Sequence, residues 1–303
     1  MNMKTEIINL LEKESELSGE INDENINGFS QLVRDIGKRK TEYLDRCEIS
    51  NGLNTKFIAK NLYLYNEVGS TNTLAKYLAK NGIENGSVVI SEKQNNGRGR
   101  TGKSWESPLG GVWMSIILSP EVDISKIPLI TITTGVAVAI ALEKIGVHNP
   151  EIKWPNDIII NGKKVCGILT EAVSNFNTIE NIIVGVGIDA NLSIEKLPGE
   201  LQEITTTLEI ELGKKVNENI LIKLFLEEFE RVYELLNDDC VEDILREWRK
   251  RSYSVGKLVE VRKPHQKSYD AYVIGITKDG ELVVEKNDGT FEKVISGECI
   301  IKR

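Results

Sequence analysis

Two polar stretches of this chain carry residues that could do chemistry. In KQNNGRGRTGKSWESPLGG, residues 93–111, Arg98, Arg100 and Lys103 stand among Gly97, Gly99 and Gly102, with Glu92 and Glu106 on either side. Glycines let backbone N–H groups approach an anion closely, and the cations can neutralise phosphate or carboxylate. In KWPNDIIINGKKVCGIL, residues 153–169, Lys153, Asn156, Asp157 and Lys164 flank an Asn161-Gly162 turn. The other common chemistries find little support. There are two histidines, His148 and His265, and four scattered cysteines, Cys47, Cys166, Cys240 and Cys299, with no CxxC pair. A zinc site of the usual ligand set and a disulfide scaffold are therefore not expected.

The glycine stretch admits three readings besides an anion loop. GRGRTGKS, residues 97–104, matches the G-x-x-x-x-G-K-[ST] phosphate loop letter for letter. That site needs a helix directly after the loop, and Pro108, Gly110 and Gly111 occupy the turns where it would form. Gly97, Gly99 and Gly102 also satisfy GxGxxG, and Gly185, Gly187 and Ala190 satisfy GxGxxA. Neither is followed by the crossover helix of a dinucleotide fold, since NLSIEKLPGE after Ala190 is too short. The plain alternative is a solvated surface loop.

The elements that must hold these residues are mixed. Leu62 to Val68 reads as a strand, with Ser70 as N-cap of a helix from Thr71 to Asn81. Strands follow at Ser87 to Glu92 and Val112 to Leu118. Ile127 to Gly146 reads as a buried helix with a strand-like start rather than a membrane span, being interrupted by threonines and ending in charge. Ile158 to Ile160 and Val165 bracket a tight hairpin at Asn161-Gly162, amid strands at Glu151 to Trp154, Lys164 to Glu171 and Asn181 to Ile188. Helices at Val216 to Asn237 and Val241 to Arg251 close this domain. Four short strands, Lys257 to Val261, Tyr269 to Ile276, Glu281 to Glu285 and Phe291 to Ile295, with turns at Asp279-Gly280 and Asp288-Gly289, predict a small barrel.

With 303 residues the chain is long enough for about two domains of ordinary size. Lys plus Arg is 38 and Asp plus Glu is 46, a net charge of −8, which argues against nonspecific coating of nucleic acid. The polar, acidic start does not read as a signal peptide, so a cytoplasmic protein is expected. Residues 1–52 form a separate helical segment, amphipathic from Ile7 to Leu11 and again around Phe29 to Leu44. Its first fifty residues hold 7 basic and 11 acidic side chains.

GRGRTGKSW (Gly97 to Trp105) and KWPNDIIINGKKVCGIL (Lys153 to Leu169) together resemble the biotin–protein ligases. STN at Ser70 to Asn72, Gln94, and GVGID at Gly185 to Asp189 fall in that family's order, over roughly residues 53–303. Lipoate–protein ligases resemble this fold but carry neither long motif in this form. The resemblance implies an α/β (α+β) catalytic domain over 53–252, a class II synthetase-like mixed sheet flanked by helices, and an SH3-like barrel over 253–303. It implies that biotin and ATP give biotinyl-5′-AMP and pyrophosphate, and that a lysine of a biotin carboxyl carrier protein then takes the biotin. Mg²⁺ would accompany ATP. Ser70, Thr71, Asn72 and Gln94 would form the polar end of the biotin pocket, with Arg98, Gly99, Arg100, Lys164 and Gly167 also on the biotin. Arg98, Lys103, Trp105, Lys153, Asn156 and Asp189 would contact the nucleotide, and Lys164 and Arg100 would be catalytic. Metal ligands are not assigned, and Lys153, Asn156 and Asp157 are equally suited to holding the loop or to contacting Mg·ATP.

Two features depart from the family. Asp189 stands where Asn is usual, and a carboxylate there would repel ATP phosphates unless it binds Mg²⁺. Some members begin with a winged helix-turn-helix that makes them biotin-dependent repressors. Here residues 1–52 show no basic recognition helix, the basic cluster being Lys38-Arg39-Lys40. A degenerate remnant without DNA binding is expected. A homodimer is left open, and no membrane partner is expected. The rival readings are a bifunctional ligase and repressor and, more remotely, a P-loop NTPase.

Overall fold

The computed structural model describes residues 33–38, 40–119, 127–175, 178–237, 240–264 and 266–302. The amphipathic start expected at Ile7 to Leu11, and with it most of the winged-helix remnant, lies outside the described residues. Residues 33–37 are helical, and a short helix at Arg46–Ser50 is capped by the Asp45 carboxylate, which accepts from Cys47 N.

The centre is a seven-stranded sheet in the order β1-β2-β3-β7-β6-β5-β4. Its strands are β1 (Leu62–Tyr65), β2 (Val88–Ser91), β3 (Val112–Leu118), β4 (Glu151–Lys153), β5 (Asp157–Ile160), β6 (Lys163–Asn175) and β7 (Thr178–Ile188). The β1–β2 pair is parallel because helix α1 (Thr71–Lys80) crosses over between them; the other pairs are antiparallel. Asn161 and Gly162 both take positive φ, 50° and 80°, and close the β5–β6 hairpin as their types predict.

Alternation along the strands assigns the two faces. Leu62, Leu64, Val88, Ile90, Met114, Ile116, Ile168, Val184 and Val186 point to one face. There they pack under α2 (Ile127–Lys144), α3 (Glu218–Asn237) and α4 (Val241–Lys250). Tyr63, Tyr65, Val89, Ile117 and Ile183 point to the other face and pack with Leu74, Ala75 and Leu78 of α1. Further along that face Trp113 packs in a separate small cluster with Leu192, Leu197 and Trp105. The strand-like start expected for α2 is not found, since the helix begins at Ile127. Pro128 sits in the first turn, where its missing N–H is harmless, and Thr133 and Thr134 bond the carbonyls of Leu129 and Ile130 four residues back. As the longest apolar helix among the described residues, α2 has twelve buried residues and belongs to the core.

Strands β6 and β7 run longer than their apolar pattern predicts. They keep pairing from Val173–Asn181 to Asn175–Thr178 as a ribbon beyond the last residue of β3, so no third strand demands hydrophobic residues there. Short helices at Gly199–Gln202 and Leu208–Leu212 were not foreseen. The C-terminal strands, β8 (Leu258–Arg262), β9 (Tyr269–Ile276), β10 (Leu282–Lys286), β11 (Phe291–Val294) and β12 (Glu298–Ile301), make one antiparallel sheet ordered β11-β10-β9-β8-β12. The expected barrel strands are all present. The fifth, β12, is too short and too charged at its start to read from sequence, and forms by pairing with β8.

One carboxylate locks α3 to the strand-leading loop. Glu230, 4% exposed, accepts the backbone N–H groups of Phe57 (2.8 Å), Ile58 (2.9 Å) and Lys56. Glu230→Ala would leave these donors without an acceptor, at about 3 kcal/mol of stability. A urea unfolding series checks this, and a loss below ~1 kcal/mol would contradict it.

Candidate active site

The open part of the second sheet face is a floor made by small residues. Along β7, Ile183 packs under α1, and the same face continues with Gly185, Gly187 and then Asp189. Across the sheet one row runs Trp113–Gly187–Gly167–Asp157–Lys153 and the next runs Val89–Ser115–Gly185–Leu169. A Cβ on Gly185 would lie 2.2 Å from Asn72 Oδ1. On Gly187 and Gly167 it would lie 2.6 and 2.9 Å from the Trp105 ring. The GxGxxA pattern therefore clears a floor for side chains from above; it is not a dinucleotide turn.

At one end of this floor the start of α1 supplies a polar cluster. Ser70 caps the helix, its Oγ 3.4 Å from Thr73 N, and both Thr71 and Asn72 are buried. Gln94 Oε1 accepts from Thr71 N (2.8 Å), while Gln94 Nε2 donates to Ser107 Oγ (2.8 Å). Ser115 Oγ lies 2.8 Å from Thr71 Oγ1 and 2.6 Å from Asn72 Oδ1. Asn72 Nδ2 donates to Glu171 Oε2 at 2.8 Å. The structure brings Thr71, Asn72 and Gln94 together beside the Ser70 cap, and adds Ser107, Ser115 and Glu171, which the sequence does not single out. The signal for Ser115 was available: a lone serine in the apolar run VWMSIIL.

At the other end stands Lys164, its backbone held on both sides by the strand-like segment 204–206. Lys164 N donates to Ile204 O and its carbonyl accepts from Thr206 N, both at 2.8 Å. Its Nζ lies 2.6 Å from Asp157 Oδ1, an ion pair, and 4.9 Å from the Trp105 ring. Trp105 in turn lies edge-on to Trp113, and its buried Nε1 faces Gly187 without an acceptor. Asp189 is buried at 4% exposure with its backbone N–H on Val165 O. Burial pushes the Asp189 carboxyl well above the usual range, against the pull of Lys164. Burial thus works against the charge that would repel phosphate, the opposite of what its type suggests.

The glycine loop is tied down by polar contacts, although it has no apolar anchor before Trp105. Gly99 N bonds Lys103 O, Trp105 N bonds Gly97 O, and Arg100–Gly102 make one 3-10 turn. Arg100 donates to Asn156 Oδ1 (2.9 Å) and to Gly297 O of the C-terminal sheet (3.1 Å). Lys103, 65% exposed, pairs with Glu298. That bond, with Arg100 and Lys153 nearby, holds the Glu298 carboxyl below its usual range. Arg98 is half-exposed, 3.7 Å from Glu171. Asn156 brackets Ile168 with backbone and side-chain bonds at 2.9 Å, so it serves the loop's structure. No helix follows Lys103: Ser104 bridges back to Arg98 and Ser107 to Gln94 before β3 begins. The phosphate-loop reading fails for that reason.

One face of a mixed sheet thus carries a polar cluster at a helix start, an arginine-rich glycine loop and a lysine clamped through its backbone. The pattern of the Biotin/lipoate A/B protein ligase family matches residues 65–189, and that of the biotin protein ligase C terminal domain matches residues 255–302. The bifunctional ligase/repressor BirA of Bacillus subtilis is 34% identical over 269 residues, 88% of this chain and 81% of that protein. The biotin–[acetyl-CoA-carboxylase] ligase of Mycobacterium tuberculosis is 30% identical over 224 residues, 70% of this chain and 77% of that protein. The biotin protein ligase from Aquifex aeolicus, solved in complex with biotin and ATP, superposes with a TM-score of 0.70 at 26% identity, covering 80% of this chain and 99% of that one. This chain belongs to the biotin protein ligase family.

Proposed function

We propose that the chain joins biotin to ATP as biotinyl-5′-AMP and passes the biotinyl group to a lysine of a biotin carboxyl carrier protein. The observation that carries this is the pairing, on one sheet face of a chain of this family, of the Thr71–Asn72–Ser115 cluster with Lys164. A biotin carboxylate oxygen attacks the α-phosphorus and pyrophosphate leaves. The carrier amine, having lost its proton, then attacks the acyl carbon and AMP leaves. Two anions must meet in the first step, so fixed cations do the main work. Lys164, kept at the edge of the floor by Asp157, gives its ammonium to the carboxylate and α-phosphate. Arg98, Arg100 and the loop N–H groups face the same charges, and Ser70, Thr71, Asn72 and Gln94 hold the ureido ring. Trp105, seated over Gly167 and Gly187, borders the nucleotide.

Among the described residues no three His, Cys, Asp or Glu side chains converge on one point. Mg²⁺ enters with the substrate as Mg·ATP, carried by the phosphates and water. Among the described residues the four cysteines form no disulfide, which suits a reducing, ATP-rich cytoplasm. The test is to incubate a carrier domain with this protein, biotin and ATP. The expected result is a mass increase of one biotinyl group, with AMP and pyrophosphate as products. An unmodified carrier with ATP intact would contradict the proposal.

The repressor half of the Bacillus subtilis relative's name makes DNA binding the second reading. Against it stands the acidic residue balance of residues 1–50. Specific readers hold operator DNA well below the nonspecific range, with Kd tighter than ~10⁻⁷ M at physiological salt. Anisotropy titration against the protein's own upstream DNA, with biotin and ATP, is expected to show no such binding. Biotin-dependent nanomolar binding would make the protein bifunctional.

A further inference from the structure

Glu171, on β6, connects the polar end of the pocket to the glycine loop. Its Oε2 accepts from Asn72 Nδ2 at 2.8 Å, its Oε1 accepts from Lys76 Nζ at 2.6 Å, and Arg98 Nη2 lies 3.7 Å from Oε1. Its side chain is 18% exposed. A carboxylate can only accept hydrogen bonds, which has consequences along the chain of contacts. Asn72 must present its amide nitrogen to Glu171, where the second N–H reaches Leu169 O at 3.2 Å, and must turn Oδ1 toward Ser115. Ser115 then spends its one proton on Asn72 Oδ1 at 2.6 Å, and the one proton of Thr71 goes to Ser115 Oγ at 2.8 Å or to Gln94 Oε1 at 3.1 Å. Every side-chain donor in the Asn72–Ser115–Thr71 chain is consumed inside the protein, and the chain has only lone pairs left to offer.

We infer that Glu171 is a positioning residue that fixes the polarity of this chain, so that the pocket offers acceptors to the two N–H groups of a cyclic urea. The inference rests on the reading of this pocket as the biotin site. Burial pushes the Glu171 carboxyl up, but the hydrogen bonds from Lys76 and Asn72 and the charges of Lys76 and Arg98 outweigh it and hold the group below its usual range. It remains an obligate acceptor at neutral pH. A glutamine of the same shape could donate, Asn72 could then reverse its amide, and the cavity would present donors to donors.

The experiment compares wild type, Glu171→Gln and Lys76→Met. Biotin affinity is read by calorimetry, the ATP KM by pyrophosphate release, and selectivity against a biotin analogue N-methylated at one ureido nitrogen. Replacing a charge-assisted hydrogen bond in a buried chain weakens binding by about 10- to 100-fold. Glu171→Gln is expected to lose that much biotin affinity and much of the discrimination against the methylated analogue, with ATP KM and melting temperature near wild type. Lys76→Met, which removes an ion pair of the same carboxylate but leaves the Asn72 contact, is expected to keep the discrimination. Wild-type biotin binding by Glu171→Gln would overturn the role of Glu171, as would parallel losses for biotin, ATP and stability in both variants. Failure of the wild type to bind biotin at all would instead overturn the ligase reading.

Discussion

Lys164→Ala is expected to lose ~10²–10³ in the rate of biotin-dependent pyrophosphate release, whereas Lys103→Ala should stay within a few-fold of wild type. Both lysines follow a glycine-rich or turn motif, and sequence alone offers either as the phosphate-binding cation. Their settings differ. Lys164 is 27% exposed, with its backbone clamped at N–H and carbonyl and its ammonium held against Asp157 and the Trp105 face. A cation already aligned and partly desolvated needs little reorganisation when charge develops, so its removal is costly. Lys103 is 65% exposed and pairs with Glu298, which is 47% exposed. Pairs of that kind contribute little and are screened by salt. The assay identifies the product nucleotide by chromatography for wild type and both variants. Biotin-independent ADP formation that vanishes in Lys103→Ala and survives in Lys164→Ala would overturn the ligase chemistry.

Gly185→Ala is expected to weaken biotin binding by ~10² or more while leaving the fold intact. Gly185 does not have a left-handed φ, so alanine brings no backbone strain; the effect is steric alone. Its new Cβ would fall 2.2 Å from Asn72 Oδ1, and the amide must leave the place where it meets Ser115 and Glu171. Several hydrogen bonds at the polar end go with it. Gly187→Ala makes the contrast, since its Cβ meets Trp105 Nε1 at 2.6 Å and disturbs the neighbouring part of the floor. Calorimetric titration with biotin checks the first variant, together with its melting temperature. An unchanged biotin affinity in Gly185→Ala would remove Asn72 from the pocket.

The chemistry-bearing loop was legible because its residue types are rare together. Gly97, Gly99 and Gly102 with Arg98, Arg100 and Lys103 suit anion binding, and Pro108 with Gly110 and Gly111 denies the helix a phosphate loop requires. What Arg100 touches was not legible. Its guanidinium spans Asn156 and Gly297, a contact 197 residues away in the chain, and no local pattern encodes such a distance. Glu171 was read only as the end of a strand, because a single acid at a strand end is ordinary until its three partners from α1 and the loop are in place. Strand β12 was missed for a similar reason, since ECII has too few residues to show alternation.

By itself the sequence determined the order and type of the principal elements, through periods of two and 3.6, helix caps and Asn-Gly or Asp-Gly turns. It also determined the loop's capacity for anions and, through two long motifs, the family. The tertiary structure decided which of two lysines is clamped and partly desolvated, that Asp189 is buried with its carboxyl pushed up by desolvation, and that Gly167, Gly185 and Gly187 clear one floor for Asn72 and Trp105. The physical reason is range. Propensity, capping and turn chemistry act over a few residues, whereas desolvation, charge coupling and steric clearance depend on which strands lie side by side. The β3-β7-β6-β5 order sets that adjacency, and it exists only once the sheet has closed.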